Sequence, residues 1–213
     1  NVMVLATKFA TAANLVKKVK NVMKNLPDWI RITDIAIDNR TSFELSNGSQ
    51  VKASSTSGDA GRSEALSLLV IDEAAFVDGL EELWTALYPT LSTGGRCIAL
   101  STPNGVGNWF HKTYVDAVDG QNDFKSIKLP WSVHPERDQA WFKNETKNMS
   151  RRQIAQELEC NFNSSGENVL QSEDMEWIHE CIKDPVYRTG FDRNFWIWEK
   201  YQEDSKYLSL IHI

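Results

Sequence analysis

Two adjacent carboxylates, Asp72 and Glu73, follow a run of apolar residues and are the side chains in this sequence best suited to catalysis. Phosphoryl transfer needs a Mg²⁺ ion held near the β- and γ-phosphates and a second group that orients or deprotonates the nucleophile. Because neighbouring side chains at a strand end point in different directions, Asp72 can face the metal ion while Glu73 faces the water. The pair has the form of a Walker B element. The alternative is an acidic helix start after a core strand.

A polar turn with the sequence Ser101-Thr102-Pro103-Asn104-Gly105 follows 29 positions after Asp72. Its hydroxyl and amide groups can reach the γ-phosphate edge of a nucleotide site, where such groups sense whether that phosphate is present. Pro, Asn and Gly are also ordinary turn residues, so a plain turn is the alternative. The spacing from the two carboxylates favours a shared site.

The carboxylate pair and the polar turn can share a site only if the strands before them end at the same edge of a sheet. The run Leu68-Leu69-Val70-Ile71 predicts a strand buried on both faces at the centre of a parallel sheet. Cys97–Leu100 predicts a second strand, and the alternation of strand, helix and strand indicates parallel crossover units. In open α/β sheets ligands bind at the carboxyl ends of the strands, so Asp72 and Thr102 are expected side by side at that edge.

The other predicted elements surround this centre. Apolar spacing, turn residues and capping patterns predict their positions. They are a strand at 2–6, a helix through 12–23, a hairpin of 42–45 and 50–53 around Asn47-Gly48, a helix opened by a capping box at Asp78–Glu81 and ending near Pro89, a helix around 109–115, a strand at 124–129, a helix opened by a capping box at Ser150–Gln153, and a helix at 172–182.

Lys17, Lys18, Lys20 and Lys24 lie between the apolar residues of the first helix. They can contact DNA, or they can form a solvated charged face. The second interpretation is the commoner one for such a pattern, and it is the one adopted for these lysines.

An aromatic segment near the C-terminus also has two interpretations. Its members can stack on nucleic-acid bases or fill a small apolar interface, and the size of the side chains favours the interface. They are Phe191, Phe195, Trp196, Trp198 and Tyr201.

Composition excludes several classes of protein. The 213 residues are 41% hydrophobic and carry a formal net charge of −6, so the chain is globular and has no overall basic field. The three cysteines form no CxxC pair, and their odd number argues against a closed disulfide framework. No apolar stretch approaches the roughly 20 residues that span a bilayer, so no membrane association is expected. The four histidines are dispersed without metal-ligand spacing.

Three segments together resemble the ATPase domain of the large terminase subunit of tailed bacteriophages. They are the sequences IDEAAF at 71–76, LSTPNG at 100–105 and QELECNF at 156–162, and the resemblance extends from Val2 to about Tyr207. It implies an α/β fold of the P-loop NTPase (ASCE/RecA-like) type, with a mostly parallel sheet flanked by helices. It also implies a motor that hydrolyses ATP with Mg²⁺ to drive double-stranded DNA into a procapsid.

The resemblance further implies partners and residue roles. The partners are the portal protein, the small terminase subunit and other copies of the chain in a ring, in the host cytoplasm and transiently on the procapsid portal. Asp72 resembles the Mg²⁺-coordinating acid, and Glu73 resembles the catalytic carboxylate. The coupling motif contains Ser101, Thr102 and Asn104. Arg62 resembles the arginine that stabilises charge on the transferred phosphate, although Ser63 follows it where the family often has Gly.

Two departures from the family pattern shape the expected domain organisation. At the C-terminus, Lys206-Tyr207-Leu208 resembles the first strand of the family's nuclease domain, but no metal-binding Asp follows it. None of the eleven glycines is followed by Lys, so the G-x-x-x-x-G-K-[ST] phosphate loop is absent. The chain is therefore expected to be a fragment whose nucleotide-binding N-terminal part is missing and whose ATPase activity alone is negligible. The expected domains are an ATPase core at 1–165, a lid or linker subdomain at 166–206, and a truncated nuclease-domain start or stray tail at 207–213.

Three rival functions remain open at this point. A superfamily 2 helicase also places Asp-Glu after an apolar strand, but it would show a Ser-Ala-Thr element in place of STPNG. A non-catalytic module that binds DNA or the portal is the second rival. A metal-dependent nuclease is the third, and two adjacent acids without further carboxylates make a poor two-metal site.

Overall fold

The computed structural model describes residues 1–56, 65–165, 177, 180–190 and 195–198. Within these residues the helices and strands have the following bounds. They are β1 (Val2–Leu5), α1 (Phe9–Asn25), β2 (Ile35–Asp38), β3 (Ser42–Leu45), β4 (Gln50–Ala53), β5 (Leu68–Asp72), α2 (Leu80–Leu87), β6 (Arg96–Leu100), α3 (Trp109–Val118), α4 (Gln139–Glu145), α5 (Arg151–Glu157), β7 (Tyr187–Thr189) and β8 (Phe195–Ile197).

The main sheet has the strand order β2-β3-β4-β1-β5-β6. Strands β4, β1, β5 and β6 run parallel, while β2, β3 and β4 pair antiparallel. The carboxyl ends of the four parallel strands therefore lie along one rim. The predicted mostly parallel α/β sheet, with β5 between two parallel neighbours, is confirmed.

Apolar layers cover both faces of the sheet because alternate strand residues point to opposite sides. On one face Leu69 and Ile71 of β5 pack with Leu83 and Leu87 of α2. On the other face Val70 packs in the cluster that contains α1. The prediction that β5 is covered on both faces is thus confirmed.

The hairpin and one capping box also match expectation. Strands β3 and β4 pair around Asn47-Gly48, and Gly48 has φ 80°, a conformation that glycine adopts without strain. At the start of α5 the Ser150 hydroxyl accepts a bond from the Gln153 amide, and the Gln153 side chain accepts one from the Ser150 amide. This reciprocal pair sets where α5 begins.

The capping box expected at Asp78–Glu81 is wrong. The N-cap of α2 is Gly79, with φ 66°, and no side chain caps the helix. The Glu81 carboxylate instead lies 3.4 Å from the Lys112 ammonium of α3. The α-helix ends at Leu87, and a 3-10 turn over Tyr88–Leu91 carries the chain past the proline.

The strand expected at 124–129 is also wrong. This segment pairs with no described strand, and a groove of about 460 Å³ is lined both by it and by β6. Ile98 and Leu100 of β6 are 51% and 45% exposed, and Ile127 and Leu129 are 67% and 68% exposed. The segment has strand-forming residues, but it does not reach the edge of β6 and so forms no ladder.

The assignment of all four lysines of α1 to a solvated face is wrong for Lys20. Its side chain is only 8% exposed and forms an ion pair of 2.9 Å with Asp38. The loop after β2 approaches α1 closely enough to cover it, a contact that helical spacing does not reveal.

By its internal contacts the chain divides into two compact units, 1–168 and 169–213. In the second unit β7 and β8 pair antiparallel, and the Arg188 guanidinium lies 4.0 Å from the ring centroid of Trp196. The helix expected at 172–182 falls mainly outside the described residues, as do Phe191 and Tyr201. The three predicted domain ranges stay predictions.

No helix in the described part of the chain is long and apolar enough to cross a membrane.

Candidate functional site: the rim of the parallel sheet

The rim brings together the two motifs that the sequence singled out. Asp72 at the end of β5 pairs in register with Leu100 at the end of β6, so Glu73 and Ser101 leave the sheet side by side. Asp72 and Thr102 thus lie at the same edge, as expected from the parallel topology. Arg62 falls in residues 57–64, which are outside the described part of the chain.

Hydrogen bonds join the polar turn to the residues after β5. The Ser101 hydroxyl accepts from the Ala75 amide at 3.2 Å and donates to the Glu73 carboxylate at 3.4 Å. The Asn104 side-chain amide donates to the Ala75 carbonyl at 3.2 Å. Movement of this turn would therefore displace Glu73 as well.

Glu73 has a left-handed backbone with φ 54° and ψ 43°. Among the described residues only Cys160 is another non-glycine with positive φ. Such a conformation costs free energy for a residue with a Cβ atom, and it persists only where surrounding contacts hold it. Here the conformation turns the chain sharply out of β5 into the 3-10 turn at Ala74–Phe76.

The electrostatic surroundings of Glu73 disfavour its charged form. Burial raises the pKa of this carboxyl, and the negative charges of Asp72 and Glu157 raise it further, while hydrogen bonds from the Ser101 hydroxyl and the Thr102 amide act in the opposite direction. A carboxyl with a raised pKa accepts a proton more readily than an ordinary surface glutamate. The rim therefore holds a proton acceptor beside a second carboxylate.

An open cleft of about 460 Å³ lies next to Glu73. Its described lining comes from the ends of β1, β5 and β6 and from α5, and no Lys or Arg contributes to it. The lining residues are Thr7, Glu73, Phe76, Thr102, Gln156 and Glu157. Oxygen atoms thus dominate the polar part of the cleft.

Thr7, Phe76 and Glu157 were not predicted as site residues. Thr7 follows β1, so the rule that ligands bind at the carboxyl ends of parallel strands could have identified it. Gln156 and Glu157 begin one of the three segments that carry the family resemblance, but the spacing along the chain gives no sign that Glu157 approaches Glu73. That approach depends on how α5 packs in the first unit.

A buried serine anchors the far end of the polar turn. The Ser165 side chain is fully buried, and its hydroxyl accepts from the Gly105 amide at 3.0 Å and donates to the Phe162 carbonyl at 3.0 Å. The Arg152 side chain of α5 donates to the Ser165 carbonyl at 3.0 Å. The turn is consequently connected to Glu73 at one end and to α5 at the other.

The described residues contain no group of three or more His, Cys, Asp or Glu side chains that could hold a metal ion. A single carboxylate such as Asp72 is nevertheless compatible with Mg²⁺, which usually keeps several waters and takes one or two carboxylates together with substrate phosphates. The oxygen-rich cleft fits a metal–nucleotide complex better than a metal ion alone.

Comparison with known proteins gives a consistent family. Residues 1–176 match the family described as terminase large subunit, T4likevirus-type, N-terminal. A curated relative, the probable terminase large subunit gp28 of Escherichia phage Mu, is 30% identical over 109 residues, which is 42% of this chain and 19% of that protein. The chain thus spans about a fifth of the length of this relative.

Solved structures share the fold. A point mutant of the large terminase ATPase domain of Thermus phage P74-26 superposes with a TM-score of 0.61 at 20% identity, covering 76% of each chain. The large terminase of a thermophilic bacteriophage, solved in complex with ADP, superposes with a TM-score of 0.60 at 13% identity, covering 76% of this chain and 40% of that one. At these identities the likeness establishes the fold, which is that of terminase ATPase domains.

Proposed function

Because the chain belongs to the T4likevirus-type family of terminase large subunits, we propose that it is the ATPase part of a motor that packages double-stranded viral DNA into a procapsid. The observation that carries the proposal is the Ser101 hydroxyl, which contacts both the Glu73 carboxylate and the Ala75 amide. A motor must pass a change at the nucleotide to the rest of the protein, and this junction joins Glu73 to the polar turn at 101–105.

We assign each rim residue a role in that reaction. Asp72 contributes an oxygen ligand to Mg²⁺, which when bound neutralises charge on the phosphates. Glu73 orients the attacking water and accepts its proton, and its raised pKa supports that role. Ser101, Thr102 and Asn104 form the coupling turn.

Arg62 is proposed to stabilise charge on the transferred phosphate. It belongs to the segment between β4 and β5, and β4 ends at Ala53 on the same rim as Asp72. The cleft has no cation among its described lining residues, so a site for phosphates needs one from elsewhere. Arg62 is the candidate that the sequence offers.

The phosphate-binding loop is proposed to come from polypeptide outside these 213 residues. No glycine here is followed by Lys, so the chain cannot form a lysine-bearing phosphate loop. No strand in the described part of the chain pairs with the outer edge of β6, and the groove between that edge and residues 124–129 has exposed apolar side chains suited to another strand. We therefore expect negligible ATP hydrolysis from the 213-residue chain alone.

The remaining partners follow from the proposed packaging role. In the complete protein we propose a homo-oligomeric ring on the portal protein, working with the small terminase subunit on double-stranded DNA. The protein would act in the host cell cytoplasm and transiently on the procapsid portal, without a membrane. ADP and an ATP analogue are bound by one large terminase of the same fold, which supports ATP as the nucleotide.

The test compares the 213-residue chain with the full-length protein. Nucleotide binding is measured by titration of a fluorescent ATP analogue, and hydrolysis by phosphate release with and without Mg²⁺. We expect the full-length protein to bind and hydrolyse ATP and the shorter chain to do neither. Failure of the full-length protein to bind nucleotide, combined with DNA binding, would instead support the non-catalytic module. Hydrolysis by the short chain that depends on Glu73 would contradict the proposed origin of the phosphate loop.

A further inference from the structure

Positive charge is concentrated at the start of this acidic chain. Residues 1–27 contain five lysines and no Asp or Glu, although the net charge of the whole chain is −6. Four of these lysines lie on α1, and three of the four line a groove of about 550 Å³ between α1 and the loop that joins β2 to β3. The groove is lined by Ala10, Ala13, Asn14, Lys17, Lys20, Asn21, Lys24, Asp38, Asn39 and Arg40.

The wall of this basic groove is held in place by ionic contacts. The buried Lys20 ammonium forms an ion pair of 2.9 Å with Asp38 and also donates to the Asn39 carbonyl. Lys24 forms an ion pair of 2.7 Å with the same carboxylate. The end of β2 and the loop that carries Arg40 are therefore attached to α1.

The groove has more positive charge than its own residues neutralise. It contains four cationic side chains and one carboxylate, and that carboxylate is shared by two of the lysines. Lys17 and Arg40 form no ion pair with any residue that the structure describes. Asn14 and Asn21 add neutral hydrogen-bond donors. This combination of Lys, Arg and Asn is the one that proteins use to contact phosphate oxygens.

We propose that the basic groove binds the phosphate backbone of duplex DNA. Lys17 and Lys24 are seven positions apart on one helix, a separation of about 10 Å along its axis, which matches the rise of about three phosphates on one DNA strand. The choice of duplex DNA over other phosphodiesters rests on the packaging function proposed above, whereas the cationic chemistry of the groove stands independently of it.

The site differs from an ordinary solvated lysine face in having two walls. Lys17 on α1 and Arg40 on the β2–β3 loop line the same groove from its two walls, so the groove presents cations from both sides. Lys18 is the next residue on the same helix, is also exposed, and does not line the groove. It has the same charge and nearly the same position in sequence, so it is a matched control.

The experiment measures binding of a fluorescently labelled duplex to the 213-residue chain by anisotropy over a series of salt concentrations. Lys17→Ala and Arg40→Ala are each expected to weaken binding equally for two unrelated duplex sequences. Each is also expected to reduce the slope of log affinity against log salt by about 0.9, the value for one lost phosphate contact. Lys18→Ala should leave both affinity and slope unchanged. Thermal unfolding by circular dichroism checks that the variants fold.

Two results would overturn the proposal. Equal losses for Lys18→Ala and Lys17→Ala would mean a diffuse electrostatic attraction without a defined groove. Binding of millimolar inorganic phosphate to the groove, together with duplex binding that does not change in Lys17→Ala and Arg40→Ala, would mean that the groove is a small-anion site. The outcome is independent of the proposed ATPase, because a full-length protein that fails to hydrolyse ATP would leave the effect of Lys17→Ala on duplex binding unchanged.

Discussion

The rim of the parallel sheet and the basic groove lie in the same compact unit but carry opposite excess charge. At the rim, burial and the negative charges of Asp72 and Glu157 raise the pKa of Glu73, and the described lining of the cleft contains no cation. In the groove, Asp38 lies between Lys20 and Lys24, and its pKa falls to about 2, chiefly through the hydrogen bond from Lys24.

The contrast separates two uses of charge. Asp38 is fully paired and has a structural role, because it attaches the β2–β3 loop to α1. The rim carboxylates and the unpaired groove cations Lys17 and Arg40 are not neutralised within the described chain, and each group suits a ligand that brings the opposite charge. For the rim the proposed opposite charge is that of the Mg²⁺ ion that accompanies a nucleotide, and for the groove the proposed ligand is a phosphate backbone.

The largest expected effect comes from removing the charge of Glu73. Glu73→Gln in the full-length protein keeps the shape of the side chain but removes the proton acceptor, so we expect ATP hydrolysis to fall by at least about 100-fold. Nucleotide affinity should stay within a few-fold. Phosphate release and binding of a fluorescent nucleotide measure the two quantities. Glu82→Gln, at an exposed position of α2, is the control. Undiminished hydrolysis by Glu73→Gln would show that Glu73 is not the proton acceptor in the proposed mechanism.

The loss of folding stability in acid should depend on Asp38, which lines the basic groove. The pKa of Asp38 is lowered from 3.8 to about 2 in the folded protein, so its contribution to stability is present above about pH 4 and is lost as the pH falls toward 2. Asp38→Asn should therefore lower stability at neutral pH and flatten its decline between about pH 4 and pH 2. Urea unfolding at a series of pH values measures this, with Asp123→Asn at an exposed position as the control. Identical pH profiles for Asp38→Asn and the parent would contradict the ion-pair role.

A smaller effect is expected from Ser101→Ala. The Ser101 hydroxyl donates to the Glu73 carboxylate and lowers its pKa, so its removal should raise that pKa further. The acid limb of the pH–rate profile of the full-length protein should move to higher pH. Ser101→Thr keeps a hydroxyl and should restore the parent profile. A limb that stays in place for Ser101→Ala would show that this hydrogen bond does not influence catalysis.

Glu157→Gln should move the acid limb of the pH–rate profile in the direction opposite to Ser101→Ala, and this shift is the smallest effect expected. The charge of Glu157 raises the pKa of Glu73 from a neighbouring helix, and it ranks below burial and Asp72 among the causes. Its removal should shift the acid limb to lower pH without lowering the maximal rate. The pH dependence of phosphate release measures both variants. Shifts of the same sign for Glu157→Gln and Ser101→Ala would contradict the electrostatic description of the rim.

Much of the site could be predicted because its motifs are local. The apolar run before Asp72 indicates a strand covered on both faces, and the parallel topology then places the carboxyl ends of β5 and β6 at one rim. The errors arose where a residue's role depends on partners distant in sequence. Helical spacing places Lys20 in solvent, but its ammonium pairs with Asp38 at the end of β2 and donates to Asn39 in the following loop. Residues 124–129 have strand composition but lie across a groove from β6.

The amino-acid sequence by itself determined the strand that carries Asp72 and Glu73, the polar turn at 101–105, the family resemblance and the charge bias of residues 1–27, because each is a pattern within a short stretch of chain. Only the tertiary structure decided that Ser101 contacts Glu73, that Glu157 approaches the same carboxylate, and that Lys17 and Arg40 share a groove. Those contacts join residues from 23 to 84 positions apart. Strand pairing and the packing of helices on the sheet bring such residues together, and spacing along the chain does not reveal those contacts.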